Sequence, residues 1–399
     1  MDTAAYISLE DRVGAHNYTP LPVVVAEADD CWVTDVEGRR YLDFLSAYSA
    51  LNFGHRHPRL IEVAHRQLDT LTLTSRAIFS DQLGPFCEEL TELVGLDRAL
   101  AMNSGAEAVE TALKTARAWG YRVKGVPADE AVIIVAHDNF HGRTTTIISF
   151  SDDPTAHDDF GPYTPGFVAV DFGDIDALKQ ALENPNVVAF LVEPIQGEAG
   201  VVVPPEGYLS AAAQACRDAN VLFIADEIQS GLGRTGHTLA IQAEDVTPDV
   251  VLLGKALGGG IVALSAVVSR DEVLGVLHPG EHGSTFGGNP FALAIGREVI
   301  RMLATGEYQQ RSAELGAHMH KRLRDEAPAT VAEVRGRGLW AGVRVHDQYS
   351  PVRPRCEAAL ADGVIVKDTH ATTMRLAPPL TISQADLDHG LDVILKALS

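Results

Sequence analysis

Two apolar stretches decide the fold of this chain: Val221-Leu-Phe-Ile-Ala-Asp226 and Val250-Val-Leu-Leu-Gly-Lys255. Each is a short, uninterrupted apolar run that ends in a charged residue, a pattern typical of a buried strand in a parallel sheet. Open α/β sheets bind their ligands at the carboxyl ends of such strands. The two stretches therefore predict that Asp226 and Lys255 belong to a ligand site.

A lysine at the end of a buried strand needs a chemical explanation, because burying an unpaired charge is costly. Glycines on both sides of Lys255 leave room for a flat ligand. A Schiff base between Lys255 and pyridoxal phosphate, with Asp226 as partner of the pyridine nitrogen, accounts for both residues. The alternative is a surface lysine after one strand and an ordinary loop-entry aspartate after the other, and these two residues alone leave it open.

Composition narrows the class of protein. The 399 residues carry 32 basic and 54 acidic side chains, a net charge of −22, which argues against nucleic acid or an anionic membrane as partner. No apolar run is long enough to span a bilayer, and the first residues lack a basic, apolar leader, so a cytoplasmic enzyme is expected. The four cysteines are scattered, which predicts neither a disulfide framework nor a metal site.

The order of apolar runs predicts an α/β fold. Helical or loop stretches separate most of these runs, as in a largely parallel sheet with helices on both faces. The last third changes to helices and strand-like segments, and the N-terminal segment looks like a small sheet. We expect a large domain and a smaller α/β domain formed from both termini, with the segments 1–55, 56–290 and 291–399 as N-terminal part, large domain and C-terminal part. The runs that predict the central strands are 131–136, 167–170, 187–192, 221–225, 250–253 and 264–269.

Two glycine-containing motifs suggest anion binding. Gly231-Leu-Gly-Arg-Thr-Gly236 matches the dinucleotide fingerprint Gly-x-Gly-x-x-Gly, but it does not lie directly between a strand and a convincing helix, which disfavours a nicotinamide-dependent dehydrogenase. Ser104 and Glu107 form a capping box at a helix start. The capping box by itself indicates only a stable helix; the functional alternative is that the N–H groups of Gly105 and Ala106 hold a phosphate.

Further candidates follow other strand ends. Phe140 is suited to stack on a flat cofactor, and Arg143 to bind a carboxylate, although a core Phe and a surface Arg are equally common. Glu198 is either an ordinary loop acid or the counterion of a substrate-binding arginine such as Arg375. Two nearby histidines, His55 and His57, lack the further ligands that a metal site requires.

Taken together, the motifs resemble the class III aminotransferases from about residue 18 to the C-terminus. The resemblance rests on these segments: Asn103-Ser-Gly-Ala-Glu-Ala, Asn139-Phe-His-Gly-Arg-Thr, Val192-Glu-Pro-Ile-Gln-Gly-Glu, Ala225-Asp-Glu-Ile-Gln-Ser-Gly, Leu253-Gly-Lys-Ala-Leu-Gly-Gly and His282-Gly-Ser-Thr-Phe-Gly-Gly-Asn-Pro. Within the class, Tyr18 and Tyr48 make the chain most similar to the ornithine aminotransferases. His141 departs from the eukaryotic ones, which tend to have Trp there.

The resemblance implies a fold type I homodimer with active sites at the subunit interface. It implies that Lys255 holds pyridoxal phosphate covalently and that Asp226 pairs with the ring nitrogen. The other residues it implies for the cofactor are Gln229 at the ring hydroxyl, Phe140 on the ring, Ser104, Gly105 and Ala106 at the phosphate, and Ser284 and Thr285 reaching the phosphate from the partner chain. Those it implies for substrate are Tyr18 and Tyr48, Arg143 for the ornithine carboxylate, and Arg375, masked by Glu198 until the second substrate arrives.

The implied reaction is a ping-pong transfer of the δ-amino group of L-ornithine to 2-oxoglutarate, giving L-glutamate 5-semialdehyde and L-glutamate. The alternatives within the class are acetylornithine, 4-aminobutyrate and other ω-amino-acid aminotransferases. Two alternatives lie outside the class: a dehydrogenase, and a binding protein related to the class but without catalytic activity. The second is disfavoured because both Lys255 and Asp226 are present.

Overall fold

The computed structural model describes all 399 residues. The strands are β1 (Val25–Asp29), β2 (Trp32–Asp35), β3 (Arg40–Asp43), β4 (Arg98–Met102), β5 (Val132–Ala136), β6 (Phe167–Val170), β7 (Val187–Val192), β8 (Leu222–Asp226), β9 (Val250–Leu253), β10 (Ser265–Ser269), β11 (Val331–Gly336), β12 (Ala341–Val345), β13 (Val364–Ile365), β14 (Lys367–Thr369) and β15 (Thr373–Leu376). The helical segments are α1 (Thr3–Val13), α2 (Ser46–Ser49), α3 (Pro58–Leu68), α4 (Leu83–Val94), α5 (Gly105–Trp119), α6 (Pro154–His157), α7 (Ile175–Ala181), α8 (Tyr208–Asp218), α9 (Asp271–Leu274), α10 (Pro290–Leu303), α11 (Glu307–Asp325), α12 (Arg353–Ala361) and α13 (Gln384–Leu398).

A seven-stranded sheet in the order β4-β10-β9-β8-β7-β5-β6 forms the centre of the molecule. The pairings among β9, β8, β7, β5 and β6 are parallel, whereas β10 is antiparallel to both β9 and β4. The predicted mostly parallel sheet is confirmed. In such a sheet the carboxyl ends of β8 and β9 open to the same edge, which brings Asp226 and Lys255 together.

Helices cover both faces of this sheet, as the α/β prediction requires. All five residues of β8 are buried. Phe223 and Ala225 belong to one apolar cluster, and Leu222 and Ile224 to another on the opposite face. Since successive side chains of a strand point to opposite faces, a strand buried on both sides reads as a continuous apolar run.

Two smaller four-stranded sheets complete the fold, in the orders β1-β2-β3-β13 and β11-β12-β15-β14. β3 and β13 pair in parallel, so the N-terminal segment joins the C-terminal part of the chain. Helix α10 packs against α3 and α4, and α11 packs against α13 and β11. The domain bounds given above stay a prediction.

Local signals in the sequence set several helix starts. The sequence predicts a helix over about 307–325, and α11 spans this range. Helix α13 follows the Ser383 N-cap, whose side chain accepts a hydrogen bond from Asp386 N. The sequence predicts a helix from Pro58 to about Leu71, and α3 ends at Leu68, three residues earlier. Helix α1 was not predicted, because it has no buried residue and therefore no apolar stripe facing a core. None of the helices combines the length and the apolar character that crossing a bilayer demands.

Candidate active site

A cavity of 260 Å³ lies at the carboxyl ends of the central strands. A second one, of 530 Å³, shares Gly105 and Lys255 with it and includes Ser104. Residues far apart in the sequence are therefore neighbours here. The predicted residues that line the first cavity are Gly105, Ala106, Phe140, Asp226, Gln229 and Lys255.

Lys255 follows β9 at a sharp turn. The backbone angle φ of Lys255 is +41°, a left-handed value that residues other than glycine rarely adopt. Burial lowers the pKa of Lys255, and the nearby carboxylates of Glu198 and Asp226 offset this only in part. A lowered pKa raises the fraction of uncharged amine near neutral pH, which makes Lys255 a better nucleophile and base.

Asp226 forms a hydrogen-bonded pair with His141. Asp226 Oδ2 lies 2.7 Å from His141 Nδ1, and both side chains are buried. Burial disfavours the charged imidazole, but the hydrogen bond and charge of Asp226 outweigh it, so the pKa of His141 is raised. Asp226 Oδ1 accepts from Ile228 N at 3.1 Å. His141 therefore orients one carboxylate oxygen, a role that the sequence did not assign although His141 directly follows Phe140.

Glu193 is a second acid that the sequence left without a role. It is buried and lines the 260 Å³ cavity, and its Oε2 accepts from Phe140 N at 2.9 Å. Burial raises the pKa of Glu193 to about 7. The side chain thus fixes the backbone that carries Phe140 and His141.

The start of α5 has the geometry of a phosphate site. Ser104 Oγ accepts from Glu107 N at 3.2 Å, and Glu107 Oε2 accepts from Ser104 N at 2.6 Å, so the predicted capping box is confirmed. The next amides, those of Gly105 and Ala106, have no hydrogen-bond partner within the helix and lie at the positive end of its dipole. A Cβ at Gly105 would lie 3.2 Å from Ile228 Cδ1, so a side chain there would crowd the wall of the site.

Ser284 lies beside the same loop of its own chain. Its Oγ accepts from Asn103 Nδ2 at 2.9 Å, while Thr285 is exposed. Asn103 also donates to Glu107 Oε1 at 3.0 Å, which ties the loop to the helix start. That Ser284 and Thr285 serve the phosphate site of a partner chain stays a prediction.

The predicted substrate residues fall into two groups. In the first, Arg375 Nη1 donates to Glu198 Oε1 at 2.6 Å, and the Arg375 guanidinium lies 4.8 Å from the centre of the Tyr48 ring. Arg375 is only 2% exposed. Burial alone would raise the pKa of Glu198, but the charge of Arg375 outweighs it and the pKa is lowered. Arg375 is thus closed off by an ion pair on one side and an aromatic ring on the other.

The second group contains Arg143 and Tyr18. Both line a separate cavity of 520 Å³ together with Arg353, Lys367 and Asp368. Tyr18 is 66% exposed. Asp368 is paired with Arg353 at 3.2 Å, and no carboxylate is paired with Arg143. Arg143 is therefore open to an anion.

Tyr48 belongs to an unusual turn. The four residues of α2, from Ser46 to Ser49, all have positive φ, between +45° and +70°. They form one turn of left-handed helix without a glycine, which costs about 1 kcal/mol per residue. Burial raises the pKa of Tyr48, so its phenol stays a hydrogen-bond donor at neutral pH. Backbone strain of this kind is concentrated at functional sites.

Other candidates from the sequence have structural roles. Gly231–Gly236 forms a buried turn that no α-helix follows, and the buried Arg234 donates to Asn52, Leu339 and Pro378. His57 Nε2 lies 3.2 Å from the hydroxyl of Tyr308. The glycine-rich segment thus ties the large unit to the small one, instead of opening a nucleotide site.

The residues of the first cavity fit pyridoxal phosphate. Lys255 offers an amine for its aldehyde, Asp226 a carboxylate for its ring nitrogen, and Phe140 an aromatic face. Gly105 and Ala106 present free amides to a phosphate. Gln229 stands close to the backbone of Gly197, where any Cβ would collide with Gln229 Oε1. The assignment of each residue to an atom of the cofactor stays a prediction.

Comparison with known proteins gives one consistent family. The model of the family described as Aminotransferase class-III matches residues 13–398. A protein of Brevibacillus brevis named ornithine aminotransferase is 50% identical over 396 residues, which cover 99% of this chain and 98% of that protein.

Solved structures agree in fold. The ornithine aminotransferase from Toxoplasma gondii, which has partial occupancy of pyridoxal phosphate at its active site, is 43% identical with a TM-score of 0.98, covering 100% of this chain and 94% of that one. An acetylornithine aminotransferase from Elizabethkingia anophelis is 46% identical with a TM-score of 0.91, covering 100% and 99%.

Proposed function

The chain belongs to the class III aminotransferases, and on this basis we propose that it transfers the δ-amino group of L-ornithine to 2-oxoglutarate, giving L-glutamate 5-semialdehyde and L-glutamate. One observation carries the choice of an ω-amine: Arg375 is closed by Glu198 and Tyr48, whereas Arg143 is open. If the carboxylate of an amino acid binds Arg143, its ω-amino group, and not its α-amino group, points toward Lys255. The similarity to ornithine aminotransferases supports this reading.

Lys255 supplies both the covalent attachment and the proton transfer. Pyridoxal phosphate, when bound, contributes an aldehyde that condenses with amines and a ring that takes up electrons from a breaking C–H bond. Because its pKa is lowered by burial, the Lys255 amine is available to accept the proton from the carbon that bears the transferred amino group. This dual role needs the amine to be mobile within the cavity that it lines.

The Asp226 carboxylate is the proposed partner of the ring nitrogen. His141 donates to one of its oxygens, which leaves the other oxygen directed by the neighbouring backbone amide of Ile228. A carboxylate close to a protonated ring nitrogen stabilises it by about 4 kcal/mol at an effective dielectric constant near 20. The His141–Asp226 pair therefore favours the electron-accepting form of the ring.

The second half-reaction needs Arg375 as well. 2-Oxoglutarate has two carboxylates, one for Arg143 and one for a second cation. Arg375 becomes available when Glu198 turns away, and the 31% exposure of the Glu198 side chain gives it access to solvent. A switchable ion pair thus lets one site accept a substrate with one carboxylate and then a substrate with two.

N-acetylornithine is the second candidate donor, because the acetylornithine aminotransferase from Elizabethkingia anophelis is 46% identical. The two donors differ only at the α-nitrogen, which is charged in ornithine and acylated in N-acetylornithine. Initial rates of the purified holoenzyme with 2-oxoglutarate and, in turn, ornithine, N-acetylornithine and 4-aminobutyrate separate them. We expect the highest kcat/KM with ornithine and a reduced preference in Tyr48→Ile; a higher kcat/KM with N-acetylornithine would refute the substrate assignment.

A homodimer in the cytoplasm is part of the proposal. Phe79 is 100% exposed, and Ile78 and Phe286 are 63% and 56% exposed, which is unusual for large apolar side chains on a monomer surface. Phe286 follows Ser284 by two positions and Thr285 by one, so a second copy that covers this region would lie close to the site. The four cysteines are all free, which supports a reducing compartment.

A further inference from the structure

The left-handed turn Ser46–Ser49 connects the end of β3 to the substrate side of the site. It places the Tyr48 ring against Arg375, and Gln229 Nε2 lies 3.5 Å from the carbonyl oxygen of Tyr48. None of its four residues is a glycine, so the sequence by itself does not favour this conformation. The hydroxyls of Ser46 and Ser49 are buried without a hydrogen-bond partner and do not stabilise it. Backbone hydrogen bonds run from Ala50 N and Leu51 N to the carbonyl oxygen of Ser46 at 3.0 and 3.1 Å. Because left-handed residues other than glycine are costly, we expect contacts from outside the turn to add to these bonds.

Asp43 is placed to do so. This buried last residue of β3 accepts hydrogen bonds through Oδ1 from Leu45 N at 2.8 Å and from Ser46 N at 2.9 Å. One carboxylate oxygen thus fixes the two amides at which the chain leaves the strand and enters the turn. Its other oxygen, Oδ2, lies 3.0 Å from His55 Nε2, so the carboxylate cannot rotate freely.

The same segment is tied to the strand that carries Arg375. Ala377, directly after β15, donates its N–H to the carbonyl oxygen of Phe44 at 2.7 Å. The short segment from Asp43 to Ser46 is therefore held at two points. The Asp43 carboxylate binds it next to the Tyr48 turn, and the Phe44–Ala377 hydrogen bond joins it to the strand of Arg375. A change in the turn would shift Tyr48 relative to Arg375, even though Asp43 itself touches neither side chain.

We propose that Asp43, oriented by His55, is a positioning residue that holds the left-handed turn and thereby sets the preference for the amino donor. The inference rests on the proposed function, in which Tyr48 and Arg375 bind substrate. Loss of the Asp43 carboxylate releases the Leu45 and Ser46 amides, and the turn relaxes toward ordinary backbone angles. The Tyr48 ring then leaves Arg375, while the 260 Å³ cavity, which no residue of the turn lines, keeps its shape.

Asp35 provides a matched control. It is equally buried in the same small sheet, and its Oδ1 accepts from Glu37 N at 2.9 Å and Arg39 N at 2.8 Å while Oδ2 accepts from the Tyr41 hydroxyl at 2.8 Å. Asp35→Ala therefore removes the same kind of bonds at a turn that leads nowhere near the site. Asp43→Asn keeps an oxygen for both amides and serves as the conservative variant.

The test compares these holoenzymes by steady-state kinetics and by amide hydrogen exchange. In Asp43→Ala we expect the KM for ornithine to rise at least tenfold with kcat changed less than threefold, and the amides of residues 45–51 to exchange at least tenfold faster. Asp35→Ala and Asp43→Asn should stay within threefold of the unmodified enzyme in both measurements. If Asp43→Ala does not fold, Asp43→Ser, whose hydroxyl is too short to bridge both amides, takes its place.

Two results would overturn the inference: unchanged exchange of residues 45–51 in the Asp43 variant, or a KM increase of the same size in Asp35→Ala. An unmodified enzyme that does not use ornithine would instead refute the proposed function. In that case the exchange measurement still decides whether Asp43 holds the turn. The two failures are therefore distinguishable.

Discussion

Replacing Glu198 by Gln should redirect the enzyme from ω-amines toward α-amino acids. The change removes the carboxylate charge that is paired with Arg375 Nη1 at 2.6 Å. Two unit charges about 4 Å apart attract by about 4 kcal/mol at an effective dielectric constant of 20. The Glu198 side chain is 31% exposed, so water screens part of this attraction. We therefore expect the loss of the charge to weaken the Glu198–Arg375 interaction by about half of that energy, or about 2 kcal/mol. An α-carboxylate would no longer have to compete with Glu198, so binding at Arg375 should gain about 30-fold.

Single-turnover absorbance changes of the cofactor measure this gain directly. We expect kcat/KM for L-glutamate to increase about 30-fold relative to that for ornithine in Glu198→Gln, while Glu198→Asp, which retains the charge, changes the ratio much less. Cofactor content and thermal unfolding serve as controls for folding. A glutamate-to-ornithine ratio that is the same in Glu198→Gln and the unmodified protein would refute the masking of Arg375.

Three further predictions concern other groups. Lys255→Ala should lower transamination by at least about 1,000-fold, since the general base is lost, and near-normal turnover would contradict the assignment. His141→Phe leaves Asp226 Oδ2 without its hydrogen-bond donor, a loss that should cost about 1–3 kcal/mol. Pyridoxal phosphate binding, measured by equilibrium dialysis, should weaken about tenfold, and the pH profile of kcat should shift. If both the affinity and the pH profile are unchanged, the proposed role of the pair is wrong. Burial lowers the pKa of His320 to about 4, so between about pH 6.5 and pH 4 the unfolded chain binds a proton that the folded chain excludes. The free energy of unfolding should therefore fall by about 3 kcal/mol as the pH drops through this range. In His320→Gln, the decrease of the unfolding temperature with falling pH should be smaller.

The residues that sequence reasoning located best are those with a local signal. The Ser104 capping box and the start of α13 depend on hydrogen bonds between residues three apart, which the sequence shows directly. Asp226 and Lys255 were predicted because each ends an apolar run, and parallel strands bring such ends to one edge. Helix α1 was missed for the opposite reason, because it has no buried face to leave a pattern.

The amino-acid sequence by itself determined the order of strands and helices and the chemistry at the strand ends, since burial and hydrogen bonding impose periodic patterns on neighbouring residues. Only the tertiary structure decided which of those ends work together. His141 meets Asp226 from 85 positions away, and the left-handed turn that carries Tyr48 is held by Asp43 and His55. For Glu198 the sequence left two alternatives, and the structure decided for the ion pair with Arg375, 177 positions away. Such pairings depend on how sheets stack and loops close, and a linear pattern of polar and apolar residues does not encode which distant partner a side chain will find.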